Sequence, residues 1–243
     1  MTTWKIDLRG YGIEISHLKE LAPCCDCRVV AAPDGQYCLG GSAFDQVTSA
    51  EEMLSQAEQA LALLNGVARL ERAEHRPVWL GEYVYNEEWQ RFCTGKPQVA
   101  GLLGGSFEFS PRGYHSSDVP IAKDSNYKRR RRIVGDPALA EILPAFADEI
   151  TWPRIRIAVE KLGTVISGRP DKSAWVNVLE RDKYATRDAI ERLKENIEDP
   201  RHHGLGAVHG VSKGSPLKRS KMTEKEGFDF VTHVFNTYVD RHP

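Results

Sequence analysis

A chain of 243 residues with 41% hydrophobic side chains is long enough for one large domain or two ordinary ones, and too apolar to be disordered. Its 33 Lys and Arg nearly cancel its 34 Asp and Glu, which excludes a whole-molecule field for nucleic acid or anionic membrane and leaves any such attraction to local clusters. No run approaches the ~18 apolar residues of a membrane-spanning helix, and the start, Met1 to Asp7, lacks the apolar core of a signal peptide, so no membrane contact and a cytoplasmic location are expected. Five cysteines, three of them within Cys24 to Cys27, are spaced too tightly for an ordinary disulfide framework and read as reduced thiols.

Trp4 to Leu8 alternates apolar with polar, as does Tyr11 to Ile15, and both predict strands. Arg28 to Ala32 and Gln36 to Gly40 flank Pro33-Asp34-Gly35, where proline presets a turn and glycine accepts positive φ, which predicts a hairpin. Ser49 stands three residues before Glu52, a capping-box spacing, and Met53, Ala57, Leu61, Leu64 and Ala68 follow as one helical stripe. Val78 to Tyr85 predicts another strand and Val99 to Phe109 a glycine-rich strand or hairpin. The front of the chain, 1–115, is therefore expected to be a mixed or antiparallel sheet crossed by one long helix.

From Ser110 to Gly135 proline, glycine, serine and a basic run replace periodicity, which marks 116–135 as a basic linker or exposed loop. Beyond it, Asp136-Pro137 is a helix start, Pro144 should kink or end that helix, and Thr151, Ser173, Thr186 and Thr223 precede further apolar stripes. Residues 136–243 thus read as a small helical bundle, and the whole chain as α+β.

Four clusters carry chemistry. His202, His203 and His209 lie in a glycine-rich turn with Arg201, and imidazoles that titrate near neutrality beside a guanidinium suit acid–base work on a phosphate; His203 and His209 with Arg201 are the catalytic candidates. Cys24, Cys27 and Cys38 are candidate zinc ligands, since Cys-x-x-Cys lets two thiolates converge on one ion, with His17 or Cys93 needed as a fourth. Lys128, Arg129, Arg130, Arg131 and Arg132, with Lys218 and Arg219 in a second basic loop, are candidate phosphate contacts, and Tyr127 offers a ring for stacking. Trp79, Tyr83, Tyr85, Trp89 and Phe92 stand at strand spacing and read as core first and as a ligand groove second. The glycines of Gly101 to Ser106 lack the Lys-Ser/Thr ending of a phosphate loop, and no cofactor is expected.

The run Leu63-Leu64-Asn65-Gly66-Val67-Ala68-Arg69-Leu70, then Pro77-Val78-Trp79-Leu80-Gly81, the turn Gly204 to Gly210 and the helix start Lys221 to Gly227 together resemble a group of uncharacterised bacterial two-domain proteins. The helical end is also similar in outline to HEPN-type domains, some of which are metal-independent ribonucleases. That resemblance implies a pairing of Arg201 with His209, although the gap between them is longer than in the HEPN motif and Val208 stands where the similar proteins carry arginine. The leading expectation is a binding or sensing protein: an α+β recognition module joined to a helical module that contacts RNA or another polyanion, or pairs as a homodimer. A HEPN-like ribonuclease is the alternative.

Overall fold

The structure, a computed structural model, describes residues 4–94, 125–169, 175–198 and 220–242. The chain divides into two compact units, residues 1–64 with 76–132 and residues 65–75 with 133–243, and its class is α+β. Among the described residues no helix is long and apolar enough to cross a membrane.

The first unit is built on strands β1 (Lys5–Arg9), β2 (Arg28–Ala31), β3 (Tyr37–Gly40), β4 (Trp79–Tyr85) and β5 (Arg91–Cys93), in the order β2-β3-β1-β4-β5 with every described pair antiparallel. The expected hairpin joins β2 to β3: Ala32 N–H donates to the Gln36 carbonyl at 2.7 Å, and Gly35 takes the positive φ, +82°, that the turn requires. Because strand side chains alternate, Ile6, Leu8, Val29, Leu39 and Val84 share one face, and all five are buried. We call this the inner face. Helix α1 (Gly12–Leu21) buries Ile15, Leu18 and Leu21, and the first-unit part of helix α2 (Ala50–Glu71) buries Met53, Leu54, Ala57, Leu61 and Leu64. At roughly 1.5–3 kcal/mol per buried aliphatic side chain, these stripes outweigh any local preference.

That weight overrides the strand expected after β1. Tyr11 to Ile15, expected as a strand, is the start of α1, with the Tyr11 carbonyl accepting N–H bonds from Glu14 and Ile15 at 3.0 Å. The alternation of Tyr11, Ile13 and Ile15 competes with the helical spacing of Ile15, Leu18 and Leu21. The helix wins by burying the second set and leaves Tyr11 50% and Ile13 64% exposed. At the start of α2 the cap is shared: Ser49 Oγ accepts the Glu52 N–H, while Glu52 Oε2 accepts from Thr48 N–H and hydroxyl.

The second unit's described elements are all helices: the end of α2, one-turn helices α4 (Pro137–Ala140) and α5 (Pro144–Ala147), then α6 (Trp152–Ser167), α7 (Trp175–Arg181), α8 (Arg187–Glu198) and α9 (Glu224–Arg241). Asp136 caps α4 as expected, Thr186 accepts the Ala189 N–H before α8, and Thr223 with Glu226 closes the expected capping box before α9. Pro144 opens α5 from its first position, where its missing N–H costs nothing. Thr151 makes no side-chain cap; instead Glu224 of α9 accepts the Trp152 N–H. Helix α6 packs against α4, α5, α7, α8 and α9, and Phe146 sets its ring edge-on to Phe228 and Phe235 at 5.4 and 5.9 Å. The strand expected over Val99 to Phe109 and the cap at Ser173 lie outside the described residues.

Candidate functional site

The basic run is not a loop. Ser125–Gly135 forms helix α3, which corrects the expected linker over this stretch. Arginine and lysine are good helix formers, neither proline nor glycine interrupts the segment before Gly135, and Ile133 is buried. The cationic repulsion is offset at Arg131. Arg131 Nη1 donates to the Cys24 carbonyl at 3.0 Å and pairs with Asp26 at 2.7 Å. Asp26, at φ +55°, ends the 3-10 turn Ala22–Cys25, so the guanidinium finishes a turn that would otherwise leave a carbonyl to solvent. The adjacent carboxylate raises the Arg131 pKa further and keeps the charge fixed. Arg131 thus has a structural role in the run; Lys128 is exposed and Arg129, Arg130 and Arg132 are half-buried.

The other face of the sheet is not the apolar surface that a second layer would need. Its strand positions carry Lys5, Asp7 and Arg9 on β1, Arg28 and Val30 on β2, Cys38 on β3, Trp79, Tyr83 and Tyr85 on β4 and Arg91 on β5. A small cluster of Ala32, Cys38 and Tyr85, with Val30, Tyr83 and Trp89 against it, forms its apolar floor. Cations lie over two of the rings: Arg91 over Tyr83 at 3.9 Å and Lys5 Nζ over Trp89 at 4.6 Å. Trp89 reaches that position from a turn at φ +61°, locked by Asn86, whose Oδ1 accepts the Gln90 N–H and whose Nδ2 donates to Gln90 Oε1. Burial, and next the charge of Arg28, pull the Lys5 pKa below its ordinary value. Of the expected aromatic groove, Tyr85 is core, Tyr83 and Trp89 are half-buried, Phe92 packs on Trp4 with centroids 5.6 Å apart, and Trp79 stays 52% exposed.

Asp7 is fully buried on this outer face. Its Oδ1 accepts the Tyr83 N–H at 2.8 Å and its Oδ2 lies 3.2 Å from Arg9. Burial raises its pKa, with the Tyr83 hydrogen bond and then Arg9 opposing. Lys5, Asp7, Arg9, Arg28 and Arg91 are not among the functional residues expected from the sequence. Their signal was present in the period-two placement of charges at 5, 7 and 9, which puts all three on the face that the core does not use.

The three expected zinc ligands are not gathered. Cys24 Sγ lies 3.7 Å from Cys25 Sγ, and Cys27 Sγ donates to the Cys25 carbonyl at 3.3 Å, all within the 3-10 turn and its exit, whereas Cys38 belongs to the outer-face cluster on β3. Among the described residues no group of three or more His, Cys, Asp or Glu side chains is placed to hold a metal ion. Burial pushes the Cys27 and Cys38 thiols up to about 12.

The catalytic candidates Arg201, His203 and His209, with His202, and the basic residues Lys218 and Arg219 lie outside the described residues. No protein-family model, curated protein or solved structure matches the chain.

Proposed function

We propose that the protein is a binding protein that holds RNA electrostatically through helix α3. The observation that carries this reading is the anchoring of Arg131 on the Cys24 carbonyl and Asp26. A flexible run of five cations would have to be ordered at the moment of contact, and that ordering opposes binding. Here Arg131 anchors the segment, and a helix spaces Lys128, Arg129, Arg130 and Arg132 along it. Phosphate contacts of this kind release counterions and give affinity without base reading. The near-neutral total charge supports a local contact.

The test is retention of labelled RNA across a salt series by the full chain and by a triple variant, Arg129→Gln, Arg130→Gln and Arg132→Gln, with Arg131 kept. The expected result is weaker retention and a log–log salt slope shallower by roughly 2 to 3, at ~0.7–0.9 per lost phosphate contact. Equal affinity and slope for both proteins would remove α3 from the function. The same RNA should be recovered intact in EDTA; cutting that vanishes in His209→Ala would favour a metal-independent ribonuclease instead.

A further inference from the structure

The 3-10 turn Ala22–Cys25 carries two adjacent cysteines, of which the core uses the first. Cys24 is 1% exposed, whereas Cys25 is half-buried, and their sulfurs lie 3.7 Å apart. The turn is held by bonds from both inside and outside it. Arg131 takes the Cys24 carbonyl, and Asp26 at φ +55° returns its N–H to the Ala22 and Pro23 carbonyls. The Asp26 carbonyl in turn accepts from the Ala43 N–H at 3.1 Å and the Ser42 hydroxyl at 3.3 Å. Gly41 lies so close that a Cβ there would stand 2.7 Å from the Asp26 carbonyl oxygen. The two thiols are thus fixed side by side in advance, and little ordering is left to oppose capture of a ligand between them.

Such a pair suits few partners. Consecutive Cα atoms stand about 3.8 Å apart across a trans peptide, short of the roughly 4.4–6.8 Å that disulfides span. Closing a Cys24–Cys25 bond would therefore strain a backbone that Arg131 and Asp26 hold in place. Among the described residues no group of three or more His, Cys, Asp or Glu side chains is placed to hold a metal ion. A linear two-coordinate ion such as copper(I) needs its two sulfurs on opposite sides. Trivalent arsenic is pyramidal, with a lone pair in the remaining direction, and takes two sulfurs on one side of the atom at close spacing.

We infer that Cys24 and Cys25 form a dithiol site that captures trivalent arsenic. The arsenic arrives with exchangeable hydroxyls. Each thiol forms one S–As bond, one As–O bond breaks for each, and the proton of that sulfur leaves with the hydroxyl as water. Arsenic stays trivalent throughout, so no oxidant or reductant is needed. Cys25, the more exposed of the two, bonds first, and Cys24 then closes the chelate intramolecularly. The Cys24 sulfur and next burial raise the Cys25 thiol, which does not oppose the reaction, because it consumes thiols and sets no proton free. The pair shares Arg131 with the RNA contact proposed for α3 and does not depend on that contact.

In the experiment the full chain, reduced and freed of added thiol, is mixed with equimolar phenylarsine oxide, and intact mass is read after desalting. The expected result is one phenylarsenic group per chain that survives an excess of the monothiol 2-mercaptoethanol and is stripped by dithiothreitol. Alkylation of the captured chain under denaturing conditions, followed by peptide mapping, should label Cys27, Cys38 and Cys93 and spare Cys24 and Cys25. Cys25→Ser should raise the arsenical concentration needed for half-capture by about a hundredfold or more, the gain lost when the second bond is no longer intramolecular. Cys27→Ser and Cys93→Ser should match the parent, and an unchanged thermal midpoint shows that each variant is folded. A parent that loses its arsenic to 2-mercaptoethanol overturns the site, as does a folded Cys25→Ser that captures as tightly as the parent, or a loss in Cys27→Ser equal to that in Cys25→Ser. The mapping needs no variant and overturns the site by itself if Cys24 or Cys25 of the captured chain is alkylated.

Discussion

The Asp7 carboxylate fills the space into which a Cβ on Gly81 would project. Between Ile6, which faces Val84, and Leu8, which faces Leu80, the β1–β4 ladder loses its regular register. Asp7 Oδ1 takes the Tyr83 N–H in place of a backbone carbonyl, so the side chain repairs the ladder that the irregularity breaks. The repair needs a residue without a side chain at 81. Gly81→Ala should therefore destabilise the fold by at least ~1–3 kcal/mol, the range for overpacking a site that cannot relax freely. Urea unfolding measures it, and a midpoint equal to the parent's would mean that the carboxylate lies elsewhere.

The same carboxylate sets a pH dependence. Burial raises the Asp7 pKa above its ordinary 3.8, so the folded chain keeps this proton to higher pH than the unfolded chain does. In the window from 3.8 up to the folded value the native state binds more protons, and this group's contribution to stability falls as pH rises; above the window the whole deficit is present. Asp7→Asn removes the titration while its amide oxygen still accepts from Tyr83. The variant should gain on the parent as the pH is raised from about 4 to 8. Unfolding midpoints for the two proteins at several pH values decide it, and a gap that stays constant with pH contradicts the assignment.

How far the sequence could be read depended on the range of the forces involved. The Pro33-Asp34-Gly35 hairpin, the Asp136 cap and the Thr223–Glu226 box were legible because each joins groups a few residues apart. The long stripe of α2 was legible because burial follows its period. Tyr11 to Ile15 misled because five residues satisfy two periods at once, and the packing of Leu18 and Leu21 chose between them. The pairings that define the candidate site had no local signal: Asp7 meets Tyr83 across 76 positions, and Arg131 meets the Cys24 carbonyl across 107. The basic run looked like a linker because charge suggested solvent, while its anchor was invisible.

The thiols should separate sharply in reactivity. Thiolate is the nucleophile, and burial pushes Cys27 and Cys38 up to about 12. Cys25 is also raised, first by its contact with the Cys24 sulfur and then by burial, whereas Cys93 is exposed on edge strand β5. Iodoacetamide at neutral pH under native conditions should label Cys93 first, with Cys27 and Cys38 labelled only when the chain unfolds. Peptide mass mapping against time reads the order, and early labelling of Cys38 would contradict the outer-face cluster.

Asn196 is the residue on which the entry into α9 depends. It is fully buried near the end of α8, and one amide serves three backbone groups: Nδ2 donates to the Arg192 carbonyl at 2.9 Å and the Ser220 carbonyl at 3.3 Å, and Oδ1 accepts the Met222 N–H at 2.7 Å. Arg192 adds bonds to the Ser220 and Lys221 carbonyls from a more exposed position. Asn196→Ala leaves the Met222 N–H without its acceptor in a buried site, at a cost of ~1–3 kcal/mol. Asn196→Asp keeps the acceptor but loses the donor and places a charge in the interior, so it should not rescue. Arg192→Ala should cost less, because solvent can replace the guanidinium. Hydrogen exchange at the Met222 amide together with thermal unfolding distinguishes the cases: exchange there should accelerate in Asn196→Ala well beyond the change in Arg192→Ala, and equal protection in all variants would show that α9 is held by its apolar face alone.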